Sequence, residues 1–159
     1  MIIESPQPQD IEDVLRVARS TQAFTAEEID TVKEMFDGVF HPSAYYDHTF
    51  IVCRKENGGA VVGFAFYGPI PMADRVWDWY WFCVDLAEQG AGIGNALYKH
   101  IEADVRSRGA RAIYLETSGS ELYAPARRLY DRNGWELAAT LPDYYAVGEA
   151  MLIYRKTFQ

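Results

Sequence analysis

The sequence predicts an α/β (α+β) fold: a mixed, mostly antiparallel twisted sheet of about seven strands flanked by about four helices. Three observations predict it. A β-rich stretch interrupted by an Asn-Gly step runs from Thr49 to Val84, a glycine-punctuated turn at Gln89–Gly94 opens a helix, and helices and strands alternate afterwards. The resulting order, β-α-α-β-β-β-α-β-α-β-β, implies one parallel crossover around the glycine-turn helix. The 159 residues fit one domain spanning 1–159, because single domains most often hold roughly 100–150 residues. With 49% apolar and 14% aromatic residues, the chain has enough to bury a core.

Ile2-Ile3 reads as a short opening strand before Pro6 and Pro8. Asp10 is placed to cap a helix whose apolar positions Ile11, Val14, Leu15 and Ala18 recur at helical spacing. Thr25-Ala26-Glu27-Glu28 has the capping-box pattern, and Ile29, Val32, Phe36 and Val39 follow along one helical face. Phe50–Cys53 and Val61–Phe66 flank Asn57-Gly58, where a type I′ hairpin turn is expected. Pro69 and Pro71 separate this hairpin from a long strand over Arg75–Val84, rich in Trp, Tyr and Phe. Ile93, Leu97, Ile101 and Val105 lie four apart on the next helix, which Gly109 stops. A strand over Arg111–Thr117 and a helix over about Pro125–Asn133, ended by Gly134, come next. Two strands close the chain, about Trp135–Leu141 and Glu149–Thr157, around a loop holding Pro142-Asp143-Tyr144-Tyr145 and Gly148.

Composition excludes several classes of function. A net charge of −8 argues against nucleic acid as the partner, since such binders present a basic face. No run reaches the ~18–20 apolar residues of a membrane span, and the first residues lack a signal-peptide pattern. Cys53 and Cys83 stand apart with no C-x-x-C or His cluster, so no metal is expected and a reduced, cytoplasmic setting is the simplest assumption.

The sharpest local signal is a strand followed by Gln89-x-x-Gly92-x-Gly94 and an amphipathic helix. A helix start presents unpaired N–H groups and the positive end of its dipole, and glycines let an anion approach closely. A diphosphate suits such a mouth, although a tight turn without a ligand fits the three glycines equally well. A P-loop is absent because no Lys-Ser/Thr pair follows, and the G-x-G-x-x-G fingerprint fails at Asn95 or Leu97.

Val84-Asp-Leu-Ala-Glu-Gln-Gly-Ala-Gly-Ile-Gly94 resembles the [RQ]-x-x-G-x-[GA] coenzyme motif of the GNAT superfamily of N-acetyltransferases. Ala126-x-x-Leu129-Tyr130-x-x-x-Gly134-Trp135 resembles that family's second motif, and the element order agrees along essentially the whole chain. The resemblance implies the GNAT fold and acetyl-CoA as acyl donor. Coenzyme contacts would come from Gln89, Gly90, Ala91, Gly92, Ile93, Gly94 and Asn95, with the pantetheine arm along Phe82, Cys83 and Val84. Ala126 belongs to the same set. Tyr123 stands where family members often carry Asn, which leaves that pantetheine contact to be lost or replaced by a phenol.

Tyr130 is the expected proton donor to the departing thiolate, a role the resemblance implies; at its bare spacing such a Tyr is more often a core residue, and the motif context reverses that reading. Asp78 falls where histone-type members carry a catalytic Glu, and strand alternation puts it on one face with Tyr80, Phe82 and Val84. It is a candidate base, a structural acid or a binder of a cationic substrate, with Glu116 as second candidate. A backbone N–H near Val84 is expected to meet the oxyanion. His41, His48 and His100 read as exposed or satisfied histidines, and Cys83 lacks a His partner, which favours direct transfer. The acceptor is expected to be an amine of a small molecule or a peptide; the stretch Phe36–Tyr46 and the loop Asp143-Tyr144-Tyr145 suit holding it and fit lid packing equally. A non-catalytic acyl-CoA sensor on the same fold is the alternative, and fold analogy admits a homodimer.

Overall fold

The fifteen residues at 49–54 and 61–69, most of them apolar or β-branched, pair as an antiparallel hairpin, and the rest of the sheet lies to either side of it. The computed structural model describes residues 1–41 and 47–159. Its strands are β1 (Ile2–Glu4), β2 (Thr49–Arg54), β3 (Val61–Pro69), β4 (Val76–Val84), β5 (Ala112–Ser118), β6 (Glu136–Ala146) and β7 (Glu149–Thr157). The helices are α1 (Ile11–Ser20), α2 (Ala26–Phe40), α3 (Ile93–Ser107) and α4 (Ala124–Arg132). The strands form one sheet in the order β1-β2-β3-β4-β5-β7-β6, with β4 and β5 parallel and β1–β2, β2–β3, β5–β7 and β6–β7 antiparallel. Among the described residues, no helix is long and apolar enough to cross a membrane.

The chain packs as two units, Met1–Gly68 with Trp81–Asp104, and Pro69–Tyr80 with Val105–Gln159. In the first, Phe36 of α2 meets Phe50 edge-on at 5.2 Å, and Phe50 stacks on Phe64 at 5.5 Å. On α3, Ile93, Leu97 and Ile101 are buried, as their spacing of four predicts. Gly63 lets β3 approach α3 closely, because a Cβ there would stand 3.1 Å from Leu97 Cδ1 and 3.0 Å from the Cys83 carbonyl oxygen. In the second unit, Trp79, Tyr130, Trp135 and Tyr154 form the core cluster, and the Arg108 guanidinium lies 4.2 Å over the Trp77 ring.

Four local expectations change. The Asp10 side chain does not cap α1; it accepts from the Gln7 amide at 2.8 Å and from Arg54 Nη2 at 2.6 Å. At Asn57-Gly58 only Gly58 takes positive φ (+70°), and the Gly59 amide donates to the Glu56 carbonyl. That is the type II pattern rather than I′, in a connection longer than two residues. The strand β6 runs through Pro142–Tyr145, which the sequence assigns to a loop, with a register irregularity between Leu141 and Ala146. Finally, Asp85 N–H donates to the Val62 carbonyl and Ile70 N–H to the Val76 carbonyl, so β4 carries one residue more than β3 between these bonds. The register of β4 with β5 is regular from Val76 to Asp78, so the extra residue lies past Asp78. One continuous alternation therefore does not set the faces from Asp78 to Val84.

Candidate active site

In the first unit β4 ends at Val84, and a short 3₁₀ turn, Leu86–Glu88, leads to the glycines. Gly90 and Gly92 both adopt φ of +84°, the left-handed conformation that L side chains rarely take, and both are exposed. Gly94 has no such need: a Cβ there would find ordinary contacts, 3.6 Å to Phe82 Cζ and 3.8 Å to Val84 Cγ2. Those distances place Phe82 and Val84 against the first turn of α3. Among the described residues, the backbone amides of Gly90, Gly92, Ile93, Gly94 and Asn95 donate to no protein acceptor. Unpaired N–H groups at a helix start make an anion seat. Gln89, Ala91 and Asn95 are exposed around it, and Ile93 is buried beneath. The donors present therefore fit a coenzyme diphosphate. Nearby, Lys55 Nζ pairs with Glu88 at 2.5 Å.

Cys83 contributes backbone rather than chemistry. Its thiol is buried, lies 3.7 Å from the Val17 carbonyl, and is pushed up to about 12 chiefly by burial, so it stays protonated. His48 stacks on Phe66 at 5.4 Å, and burial holds its imidazole below the usual range. His41 and His100 are exposed. Of the acceptor stretch Phe36–Tyr46, residues 42–46 lie outside the described residues.

The second unit holds the expected acid and bases. Tyr130 on α4 is buried, with its ring 5.5 Å from Tyr154, 5.7 Å from Trp135 and 6.2 Å from Trp79. Burial, reinforced by the Tyr154 and Tyr123 phenols, raises its pKa well above the usual value. The phenol therefore stays protonated across the physiological range. Tyr123 stands at the N-terminal end of α4 and Ala126 in its first turn, both half-buried. Asp78 pairs with Tyr114 across the parallel register, and Glu116, two residues on, shares that face. Burial first, and then the Glu116 charge, lift the Asp78 carboxyl to about 6, against a hydrogen bond from the Trp79 backbone that lowers it. A carboxyl near 6 is mostly ionised at neutrality and more basic than an ordinary carboxylate, which suits a general base. The β4–β5 register is Val76–Ala112, Trp77–Ile113 and Asp78–Tyr114, while β5 continues against β7 as far as Ser118–Met151.

The structure thus groups Phe82–Val84 with the first turn of α3, Asp78 with Glu116, and Tyr123 and Ala126 with Tyr130 on α4. Sequence reasoning missed Arg16 and Asp85, whose ion pair lies immediately before the glycine turn. Among the described residues, no group of three or more His, Cys, Asp or Glu side chains is set to hold a metal ion.

Residues 13–135 match the acetyltransferase (GNAT) family. Among solved structures, a protein assigned to that family from Desulfovibrio desulfuricans is 36% identical over 98% of each chain, with a TM-score of 0.90. An aminoglycoside 6'-N-acetyltransferase complexed with coenzyme A is 20% identical over 99% of this chain and 97% of its own, with a TM-score of 0.75. The ribosomal-protein-S18-alanine N-acetyltransferase from Escherichia coli is 21% identical over 98% and 92%, with a TM-score of 0.79. These last two similarities speak for the fold alone. No curated protein matches the chain.

Proposed function

The chain belongs to the acetyltransferase (GNAT) family, and on that premise we propose how its residues divide the work of acetyl transfer to an amine. It is an acyl-CoA-dependent acetyltransferase; the acceptor and the roles of individual residues are our reading. The observation that carries this reading is the pair of left-handed glycines, Gly90 and Gly92, ahead of unpaired amides at the start of α3. Those amides, with Gln89 and Asn95 beside them, hold the coenzyme diphosphate. The edge at Phe82–Val84 carries the pantetheine arm as an added strand would be carried.

Transfer requires a neutral amine, a stabilised oxyanion and a proton for the departing thiolate. Asp78, poised near 6, takes the proton from the acceptor ammonium directly or through water, and Glu116 tunes it. Tyr130, kept protonated by burial, gives its proton to the thiolate. A backbone N–H near Val84 meets the oxyanion. The acceptor is a primary amine of a small molecule or a protein. Aminoglycosides and a ribosomal-protein alanine, named for the two distant neighbours, illustrate that one fold serves both kinds. The sensor alternative is not favoured, since the family and the neighbours named are acetyltransferases.

Titration calorimetry with CoA and acetyl-CoA, followed by an amine panel scored for release of coenzyme thiol, tests the proposal. Saturable binding and acceptor-dependent release are expected. Folded protein that binds no acyl-CoA would overturn it.

A further inference from the structure

We infer that Arg16, acting through Asp85, is a positioning residue for the phosphate mouth; this rests on the reading of Gln89–Gly94 given above. The Asp85 side chain is only 10% exposed. A carboxylate taken that far from water persists only with its oxygens engaged. Its Oδ1 accepts from the Ala87 amide at 3.1 Å, and its Oδ2 pairs with Arg16 Nη1. Four residues along the same face of α1, Ser20 Oγ accepts from the Leu86 amide at 3.1 Å. One helix therefore grips the chain at two successive residues just ahead of the mouth.

Arg16 is itself held in place. Its Nη2 donates to the Val61 carbonyl at 2.7 Å and to Asp13 Oδ1 at 3.1 Å, and Asp13 Oδ2 accepts from the Val61 amide at 3.0 Å. Beyond Asp85 the chain advances by consecutive turns. Glu88 N–H donates to the Asp85 carbonyl at 2.9 Å, and Ala91 N–H to the Glu88 carbonyl at 3.4 Å. These turns tie Asp85 to the residues on either side of Gly90, so its position bears on where Gly90 and Gly92 stand.

The Arg16 side chain is 46% exposed, and an ion pair between two such exposed groups would contribute little. Asp85 decides the matter, because removing Arg16 leaves a buried carboxylate with a single amide donor. Fixing the amides before the ligand arrives spares the coenzyme the cost of ordering them.

The test is calorimetry with CoA on the wild type, Arg16→Met, Arg16→Lys, Asp85→Asn and the Met/Asn double variant, each checked for folding by its melting curve. The wild type binds, each of Arg16→Met and Asp85→Asn weakens Kd by about tenfold, and the double variant falls no further than the worse single. Arg16→Lys recovers part of the loss, and KM for acetyl-CoA rises while kcat falls much less. A lowered Tm with an unchanged Kd, measured well below the melt, would overturn the inference. Losses that multiply in the double variant would also overturn it. No binding by the wild type would instead sink the reading of the mouth itself.

Discussion

Asp78 and Glu116 lie on one face of the β4–β5 pair, and the charge of Glu116 adds to burial in lifting the Asp78 carboxyl to about 6. A base of that pKa is inactive when protonated. The acidic limb of the kcat/KM profile is therefore expected to rise through about pH 6, and Asp78→Asn to abolish it along with most of the rate. Glu116→Gln removes the like charge and moves the limb to lower pH. A limb unmoved in Asp78→Asn excludes Asp78 as the base.

The same carboxyl affects stability. Its folded pKa is raised from 3.8, so the unfolded state ionises more readily, and Asp78 opposes folding above about pH 6. That penalty fades as pH falls toward 4. Asp78→Asn should thus stabilise the fold at pH 7.5 by on the order of 1 kcal/mol after solvent screening, seen as a higher Tm, and have little effect near pH 4. Thermal melts at the two pH values check the sign.

Tyr130 is surrounded by Trp79, Trp135 and Tyr154, which fix its ring. Tyr130→Phe keeps that packing and removes the proton. It should lower kcat by about tenfold or more while leaving coenzyme affinity close to unchanged. Because burial raises the phenol, no basic limb from Tyr130 is expected between pH 6 and 9. Full turnover by Tyr130→Phe would remove it from the mechanism.

A Cβ at Gly92 meets nothing within 4 Å, so the effect of Gly92→Ala comes from φ of +84° alone. Left-handed backbone costs a non-glycine residue about 1–2 kcal/mol, which the loop can relieve by rotating its amides away. CoA affinity is expected to fall severalfold with Tm little changed. By contrast, Gly63→Ala forces a Cβ against the Cys83 carbonyl and Leu97, and should lower Tm at a cost of about 1–3 kcal/mol. Calorimetry and melts on the two variants separate the effects.

The legible features were those whose causes are short-range. Thr25 and Glu28 form the capping box their spacing announces, each side chain bonding the other's amide, at 3.2 and 2.8 Å. Gly90 and Gly92 take the conformation that only glycine accepts readily. The features that escaped depend on partners far along the chain. Asp10 looks like a helix cap, yet it answers to Arg54, forty-four positions away. Arg16 and Asp85, sixty-nine positions apart, carry no motif at all. Pro142-Asp143 reads as a loop, but β6 runs through it between the β7 pairings of Leu141 and Ala146, while Asp143 accepts from the Gly148 amide at 2.6 Å. The extra residue in β4 shows only once β3 is laid beside it.

Both cysteines are buried, and burial raises both thiols, Cys83 to about 12. A chromogenic disulfide added to a turnover mixture should therefore react with the product coenzyme and leave the native polypeptide untouched. Its colour would count catalytic events against a flat baseline, and maleimides or iodoacetamide should fail to inactivate the enzyme.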